Sequence, residues 1–390
     1  MIPFIDLKAQ QERIRPQIEA RIKKVLDHCQ YIMGPEIEEL EEKLTEFTGA
    51  KHAITCSSGT DALLMTLMAW GVGPGDAVFT TPFTFIATAE VISLLGATPV
   101  FVDIDPRTFN INPAKLELAI QAIKANDPSI YPIPISSPFT SHSSLSPKAI
   151  IPVDLFGLPA DYDAIMIIAG EDDLHVLADA AQSFGAEYKG RKVGTLGHAT
   201  ATSFFPAKPL GCYGDGGAVF TNDDELAEKL TSIRVHGKGT DKYDNIRIGL
   251  NARMDTLQAA ILLPKMEIFP EELDARQKVA QAYSQHLIAH GSLLTVPYIP
   301  NDYTSAWAQY SIISNKKEEI QNRLKNSGIP SVVYYPKPLH LQTAFTDLRY
   351  KSRDFPVAER TAENIFSLPM HPYIKPEHID LIVLALQDTK

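Results

Sequence analysis

Apolar residues recur at helical spacing over the first part of the chain. Between Gln10 and Cys29 the apolar positions share one helical face: Ile14, Ile18, Ile22, Val25 and Leu26. A second set follows Gly34-Pro35, at Ile37, Leu40 and Leu44. The spacing predicts two amphipathic helices, each with its apolar stripe packed against the rest of the protein.

From Ala53 onwards the pattern changes to short apolar runs separated by helix-length segments. These runs are Ala53–Cys56, Ala77–Thr80, Thr98–Asp103, Ala149–Val153, His175–Ala178 and Ala199–Phe204. Strands that are apolar throughout and alternate with helices predict a mostly parallel sheet with helices on both faces. A further run, Ala218–Thr221, follows too closely for a helical crossover, so we expect it to pair antiparallel with the strand before it.

The C-terminal third begins with a long helical pattern and ends with a mixed one. Leu257–Ile268 has helical spacing, with Pro264 expected to kink or end the helix, and a further helical stretch covers Glu271–Ile288. Ser292–Lys390 combines strand and helix signals and predicts a smaller α+β unit. We therefore predict an α/β protein of two domains: residues 1–255 form an N-terminal arm and a large domain, and residues 256–390 a connecting helix and a small C-terminal domain.

One internal segment lacks any periodicity. Asn126–Pro147 is rich in serine and proline, which predicts an inserted surface loop between a helix and a strand. A functional lid is the alternative for this segment.

Composition and charge narrow the class of protein. The chain has 390 residues, of which 45% are hydrophobic and 21% charged, as in ordinary globular proteins. No basic tract compensates its formal net charge of -11, which argues against a nucleic-acid partner. An anionic small substrate needs only a local basic pocket and stays open. None of the 11 histidines forms a recognised metal-binding pattern, so we expect no metal.

The chain is expected to be cytoplasmic and not to enter a membrane. Its first residues lack the basic and apolar regions of a signal peptide, and no run of about 18 apolar residues exists. The cysteines, Cys29, Cys56 and Cys212, are unpaired in spacing, which fits a reducing compartment. Cys212 follows Lys208 closely and is either a reactive thiol or a buried packing residue, the second being the commoner case.

Polar and aromatic residues follow several of the predicted strands. They are Ser57–Thr60, Phe83–Phe85, Asp154, Asp179 and Ser203–Lys208. Ligands of open α/β sheets bind at the carboxyl ends of the parallel strands. We therefore expect these groups on one rim of the sheet, around one site.

Lys208, Asp179 and Gln182 point to pyridoxal 5'-phosphate as the cofactor. A lysine can bind the cofactor's aldehyde covalently and, once free, can move a proton. Lys208 lies between Pro206 and Pro209, in a stiff loop that suits an accurately placed nucleophile. A carboxylate at the end of an apolar strand needs a partner, and Asp179 could hold the pyridine nitrogen protonated. Capping of a following helix is the alternative for Asp179, and Gln182 could bind the ring hydroxyl.

The remaining rim residues suit the phosphate and the ring of the same cofactor. A helix predicted to start at Gly59 and Thr60 offers backbone N–H groups and its positive dipole end to a phosphate. An ordinary N-cap explains the same turn equally well. Ser203 could donate its hydroxyl to that phosphate, and Phe85 could stack on the pyridine ring or belong to the core.

These residues resemble the DegT/DnrJ/EryC1/StrS family of nucleotide-sugar aminotransferases over nearly the whole chain. The motifs that carry the resemblance are Ile5-Asp6-Leu7, Tyr31-Ile32-Met33-Gly34-Pro35, Ser58-Gly59-Thr60-Asp61-Ala62-Leu63, Gly73-Pro74-Gly75-Asp76, Asp103-Ile104-Asp105-Pro106, Asp179-Ala180-Ala181-Gln182-Ser183-Phe184-Gly185, Ser203-Phe204-Phe205-Pro206, Lys208, Gly214-Asp215-Gly216-Gly217 and Gly249-Leu250-Asn251-Ala252-Arg253-Met254. The resemblance implies the aspartate-aminotransferase fold, fold type I of the pyridoxal-phosphate enzymes.

The resemblance also implies a role for each matched residue. Lys208 is implied to bind the cofactor covalently, Asp179 to hold the pyridine nitrogen, Gln182 the ring hydroxyl, and Phe85 to stack on the ring. The residues implied to bind phosphate are Gly59, Thr60 and Ser203. Asn251 is implied to reach the phosphate of the partner subunit, which would make the protein a homodimer with shared active sites.

Within the family, the chain resembles enzymes that aminate a 3-keto UDP-N-acetylglucosaminuronate for surface polysaccharide such as the O-antigen of lipopolysaccharide. L-glutamate is the implied amino donor. The expected sugar-binding residues are Arg253, Tyr334, Tyr335 and His340. Tyr334 stands where the family often has a histidine and cannot carry a positive charge. Arg253 could supply that charge to a uronate.

Four other functions compete with this assignment. Amination of a 4-keto-6-deoxy nucleotide sugar needs the same lysine chemistry and differs only in the sugar pocket. A dehydratase of the family is disfavoured because those enzymes replace the lysine by histidine, and Lys208 is present. A non-catalytic sensor of the same fold is the alternative from a different class. A nicotinamide-dependent Rossmann enzyme lacks its expected Gly-x-Gly-x-x-Gly after the first strand.

Overall fold

The computed structural model describes residues 2–134, 145–241, 243–289 and 294–386. Its α-helices are α1 (Leu7–His28), α2 (Pro35–Thr48), α3 (Gly59–Ala69), α4 (Ala87–Leu94), α5 (Pro113–Ala125), α6 (Tyr162–Glu171), α7 (Asp224–Ile233), α8 (Thr256–Ala289), α9 (Lys317–Asn326), α10 (Pro356–Asn364) and α11 (Pro376–Leu386). Its strands are β1 (His52–Cys56), β2 (Asp76–Thr80), β3 (Thr98–Phe101), β4 (Ser146–Ile151), β5 (His175–Asp179), β6 (Glu187–Tyr188), β7 (Arg191–Lys192), β8 (Ala199–Ser203), β9 (Gly217–Thr221), β10 (Tyr310–Ile313) and β11 (Ile365–Leu368).

The central sheet has seven strands in the order β1-β9-β8-β5-β4-β2-β3. Strands β8, β5, β4, β2 and β3 pair in parallel, whereas β9 runs antiparallel to both of its neighbours, β8 and β1. The predicted mostly parallel sheet and the predicted antiparallel strand are both confirmed. Because β9 alone is reversed, β1 points in the same direction as β8 and ends on the same rim.

Helices cover both faces of the sheet, since successive strand residues point to opposite sides. Leu177 packs in a cluster with apolar residues of α3, α4 and α7. Its neighbours Val176 and Ala178 pack on the other face with residues of α5 and α6. The two apolar clusters explain why the predicted strands are apolar at every position.

The first two helices begin and end where their sequences provide caps. Asp6 accepts a hydrogen bond from the N–H of Ala9 at 2.9 Å at the start of α1. Gly34 precedes α2, Pro35 is its first residue, and Gly49 ends it in the left-handed conformation. Both helices pack against α8.

Several element boundaries differ from those predicted. Helix α8 continues through Pro264 and Pro270, so Pro264 does not end it. Burial of α8 between other elements offsets the missing N–H groups of its prolines. Strand β3 ends at Phe101, two residues before the predicted Asp103, and β4 starts at Ser146, inside the predicted loop Asn126–Pro147. Residues 135–144 of that loop lie outside the described residues.

The C-terminal part contains a second, two-stranded sheet. Strands β10 and β11 pair antiparallel, and residues of α8, α9 and α11 form an apolar cluster around them. These elements agree with the predicted α+β composition, and the domain boundary at residues 255 and 256 stays a prediction. Among the helices of the described ranges, none combines the length and apolar character that a membrane crossing requires.

Candidate active site

The carboxyl ends of β1 and β8 bring Gly59 and Ser203 into contact. A Cβ atom on Gly59 would lie 2.7 Å from the Cβ of Ser203, so only glycine fits there. Ser58 caps α3 by accepting a hydrogen bond from the N–H of Asp61 at 3.0 Å. Gly59 and Thr60 are the first two residues of the helix, and such N–H groups have no acceptor within their own helix. The turn is thus both an N-cap and a place where an anion can bind.

Replacement of Gly59 by alanine is expected to weaken anion binding at this turn. The added methyl group must push Ser203 away from the start of α3, at a cost of about 1–3 kcal/mol in the free energy of unfolding. We expect a lower melting temperature and a larger dissociation constant for pyridoxal phosphate, measured by thermal denaturation and by absorbance titration. Gly170→Ala, in α6 with nothing within 4 Å of the new Cβ, is the matched control. Equal behaviour of the two variants would contradict the prediction.

Asp179 ends β5 with its carboxylate inside the protein. The residue is 6% exposed. The Thr88 hydroxyl donates to Oδ2 at 2.7 Å, and the Ala181 N–H donates to Oδ1 at 3.2 Å. Burial raises the pKa of Asp179, and these two hydrogen bonds and the charge of Lys208 oppose the rise. The helix-capping alternative for Asp179 is wrong, because a turn and not a helix follows β5.

Lys208 lies in the loop between β8 and β9, half-buried beside this carboxylate. Burial lowers the pKa of the Lys208 ammonium, and the charge of Asp179 partly opposes that effect. The loop is fixed at both ends. The N–H of Lys208 donates to the Phe205 carbonyl at 2.9 Å, and the N–H of Cys212 donates to the Phe204 carbonyl at 2.8 Å. An amine with a lowered pKa on a fixed loop is a better nucleophile than a surface lysine.

Two buried residues, Lys265 and Cys212, pack against the Lys208 loop. Lys265 of α8 donates to the Gly211 carbonyl at 2.5 Å, and its ammonium lies 4.2 Å from the centre of the Tyr213 ring. Burial lowers the pKa of Lys265 to about 8. Cys212 is buried, and burial raises the pKa of its thiol. Of its two alternatives, the structure therefore favours the packing residue over the reactive thiol.

Gln182 lies in the turn after β5 and connects two other parts of the rim. Its Oε1 accepts a hydrogen bond from the Phe156 N–H at 2.7 Å, and its Nε2 donates to the Tyr335 hydroxyl at 3.2 Å. The Tyr335 ring lies 6.4 Å from the ring of Phe85. Phe85 is 56% exposed, so the core alternative for Phe85 is wrong. Tyr335 and Phe85 form an aromatic wall beside Gln182.

Asp154 is a fully buried carboxylate next to the turn that follows β5 and carries Gln182. It accepts hydrogen bonds from the Tyr162 hydroxyl at 2.8 Å, the Ser183 hydroxyl at 2.7 Å and the Ala160 N–H at 2.9 Å. Burial raises its pKa to about 7. As the sequence predicts, Asp154 follows β4 next to Asp179, whose carbonyl accepts a hydrogen bond from the Asp154 N–H at 3.0 Å.

Asn251 and Arg253 lie together beside the anion-binding turn. The Arg253 guanidinium donates to Asn251 Oδ1 at 3.0 Å and 2.6 Å. Between them, the Ala252 carbonyl accepts a hydrogen bond from the N–H of Ser57 at 3.0 Å. A guanidinium at this position adds positive charge next to the helix start, where an acidic ligand would be favoured.

The two remaining predicted sugar contacts have different positions. Tyr334 is half-buried, with its ring 6.3 Å from that of Phe4 and 5.8 Å from that of Tyr335. The His340 side chain has no exposed surface, and its Nε2 lies 3.1 Å from Glu359 Oε1. Its ring is 4.7 Å from the ring of Phe355. The His340 side chain is therefore buried in this structure, and its contact with the sugar stays a prediction.

Two residues that contact the site escaped the sequence reasoning. Thr88 binds Asp179 and Lys265 supports the Lys208 loop. A signal for Thr88 was available, because it lies at i+4 from Thr84 of the rim segment, a spacing that can bring two side chains together. A lysine inside an apolar helix resembles a snorkelling surface residue, so the sequence offered no comparable signal for Lys265.

Comparisons of sequence with known proteins cover the whole chain. Residues 12–387 match the DegT/DnrJ/EryC1/StrS aminotransferase family. The chain is 50% identical over 386 residues to the UDP-2-acetamido-2-deoxy-3-oxo-D-glucuronate aminotransferase of Pseudomonas aeruginosa, covering 99% of both chains. It is 43% identical to a pleiotropic regulatory protein of Geobacillus stearothermophilus, covering 98% of this chain and 96% of that protein. It is 39% identical to the UDP-N-acetyl-3-dehydro-alpha-D-glucosamine 3-aminotransferase of Acidithiobacillus ferrooxidans, covering 100% and 98%.

Solved structures agree with these matches. A DegT/DnrJ/EryC1/StrS aminotransferase from Brucella abortus superposes with a TM-score of 0.92 at 49% identity, covering 99% of this chain and 98% of that one. NtdA from Bacillus subtilis, solved with bound PMP, the pyridoxamine form of the cofactor, superposes with a TM-score of 0.82 at 29% identity, covering 95% and 80%. The predicted fold of the pyridoxal-phosphate aminotransferases is confirmed.

Proposed function

We propose that this chain, a member of the DegT/DnrJ/EryC1/StrS aminotransferase family, transfers an amino group from L-glutamate to a sugar. The acceptor would be the 3-keto group of UDP-N-acetylglucosaminuronate. The family assignment establishes an enzyme, a sugar aminotransferase with pyridoxal 5'-phosphate as cofactor. The observation that carries the choice of sugar is the 50% identity, over 99% of both chains, to an enzyme named for that 3-oxo uronate.

The residues on the rim fit pyridoxal phosphate. The aldehyde of the cofactor requires an amine, and Lys208 is half-buried with a lowered pKa. The pyridine nitrogen requires an acid, and Asp179 is a buried carboxylate. The phosphate requires N–H donors, which the start of α3 beside Ser203 offers. Bound cofactor supplies an electron sink for negative charge at a substrate carbon. Lys208 would hold it covalently, and Gly59, Thr60 and Ser203 would bind its phosphate.

The remaining rim residues would bind the cofactor ring, and Lys208 would also transfer a proton. Asp179 would hold positive charge at the pyridine nitrogen, and Phe85 would stack on the ring. Gln182 would bind the ring hydroxyl with an amide that Phe156 and Tyr335 already orient. Free Lys208 Nζ would accept the proton from Cα of the amino donor, since burial keeps its pKa below that of an ordinary lysine.

The sugar and the second subunit belong to the same proposal. Arg253 would bind the uronate carboxylate, and Tyr334 and Tyr335 would contact the sugar from the aromatic wall. Asn251 would reach the phosphate of the partner subunit in a homodimer with shared sites. The exposure of Asn251 next to the anion-binding turn supports this arrangement. We also propose a cytoplasmic location and a role in O-antigen or lipopolysaccharide sugar synthesis, which the Pseudomonas aeruginosa relative's substrate supports.

An absorbance titration tests the amino donor, and product analysis tests the sugar. The band of lysine-bound cofactor in the purified protein should give way to the pyridoxamine band when L-glutamate is added. The 3-keto uronate should then be converted to its 3-amino product, identified by NMR. Amination of a 4-keto-6-deoxy sugar instead would replace the proposed substrate. A cofactor band that never responds to any amino donor would favour a regulatory role, the one named for the Geobacillus stearothermophilus relative.

Arg253→Met is expected to raise KM for the uronate about 10- to 100-fold, because a hydrogen-bonded charge pair is lost. KM for L-glutamate should change little. Arg253→Lys keeps the charge but not the paired geometry and should lie between wild type and Arg253→Met. Steady-state kinetics with each substrate varied in turn checks the prediction. A rise in KM for glutamate alone would reassign Arg253 to the amino donor.

A further inference from the structure

A chain of two threonine hydroxyls ends on the Asp179 carboxylate. Thr88 Oγ1 donates to Asp179 Oδ2 at 2.7 Å, and Thr84 Oγ1 lies 3.1 Å from Thr88 Oγ1. All three residues are buried. Thr84 belongs to the rim segment that carries Phe85, and Thr88 lies in the first turn of α4. The chain therefore connects the segment after β2 to the end of β5.

The chemistry of the groups fixes the direction of this chain. An ionised carboxylate only accepts hydrogen bonds, and a hydroxyl has one proton to donate. Because the Thr88 proton goes to Asp179, the hydroxyl of Thr84 must be the donor to Thr88. The second carboxylate oxygen, Oδ1, accepts the Ala181 N–H at 3.2 Å. Each oxygen is thus fixed by one donor and keeps a further lone pair for a ligand.

Asp179 needs this support because its surroundings oppose its charge. A buried carboxylate without hydrogen bonds tends to become neutral. Burial is the largest influence on the pKa of Asp179 and raises it, whereas the hydrogen bond from Thr88 is the largest opposing influence. Lys208 contributes a nearby positive charge, which also lowers the pKa of Asp179 but less than the hydrogen bonds do. Of the two hydrogen bonds to the carboxylate, the shorter one comes from Thr88.

We propose that Thr88, supported by Thr84, is the positioning residue that keeps the Asp179 carboxylate ionised and aimed at the pyridine nitrogen of the cofactor. This inference rests on the proposed binding of pyridoxal phosphate at Asp179 and does not depend on the identity of the sugar or the amino donor. Thr88 acts through Asp179 and does not itself contact the reacting atoms.

The test compares Thr88→Val with Thr88→Ser. Valine has nearly the shape of threonine but no hydroxyl, and serine keeps the hydroxyl. The probe is pyridoxamine 5'-phosphate labelled with ¹⁵N in its ring, which binds without the covalent link to Lys208. We expect the ring nitrogen to give the chemical shift of a protonated pyridine in wild type and Thr88→Ser. In Thr88→Val the shift should move towards the neutral value, with a dissociation constant about 10-fold larger or more.

The controls separate positioning from a general loss of structure. Thr84→Val removes the outer donor only, so its shift and affinity should lie between those of wild type and Thr88→Val. Circular dichroism and thermal melting report whether each variant folds, and Thr84→Val carries the test if Thr88→Val does not fold. An unchanged ring shift in every folded valine variant would overturn the inference. A wild-type protein that binds the probe as expected, but that does not react with L-glutamate when loaded with pyridoxal phosphate, would reject the proposed reaction alone.

Discussion

Lys208→Ala is expected to reduce transamination by at least about 10⁴-fold. The variant loses both the covalent hold on the cofactor and the amine that moves the proton at the substrate carbon, and proton transfer alone accounts for about 10²- to 10⁴-fold. The half-buried position and lowered pKa of Lys208 fit both roles. The measurement is a coupled assay of 2-oxoglutarate formation, with the absorbance spectrum recorded on the same samples.

A second lysine variant separates this effect from changes in overall charge. Lys229→Ala removes an exposed lysine of α7 that pairs with Glu225 at 2.7 Å. It should keep wild-type turnover and the band of lysine-bound cofactor, whereas Lys208→Ala should lose the band and still bind pyridoxamine phosphate. Substantial turnover in Lys208→Ala would refute the assigned role of this lysine.

Asp179→Asn is expected to lower kcat about 10²- to 10³-fold, the usual effect of removing a preorganised electrostatic group from an active site. An amide has nearly the same shape as the carboxylate but cannot balance positive charge on the pyridine nitrogen. Because Asp179 is not proposed to contact the sugar, KM for the nucleotide sugar should change by less than kcat. Steady-state kinetics at saturating L-glutamate provides both constants.

Asp163→Asn is the matched control for this substitution. Asp163 is an exposed aspartate of α6 that pairs with Lys189 and Arg191 on the surface. Surface ion pairs contribute little to stability, so its kinetics should equal those of wild type. If Asp179→Asn retained wild-type kcat, the pyridine nitrogen would have to be held by another group.

Phe85 and His340 are both predicted site residues, but their side chains differ in exposure. The sequence pattern around either residue does not specify whether the side chain points to the site or into the core. Phe85 is exposed on the rim beside Tyr335, whereas His340 is buried against Glu359 and Phe355. The difference depends on how the segment around Leu339 packs against the segment after β2, where the Leu339 N–H donates to the Pro82 carbonyl at 2.8 Å.

The sequence by itself determined the strands, the antiparallel pairing of β9, the shared rim and the choice of residues proposed to bind the cofactor. These depend on local patterns: apolar runs, the short connection before β9, and the rule that ligands bind at the carboxyl ends of parallel strands. Only the tertiary structure decided that α8 continues through Pro264, that His340 is buried, and that Thr88 donates to Asp179. Those features depend on packing between residues far apart in the chain, where burial and the position of a partner override local preference.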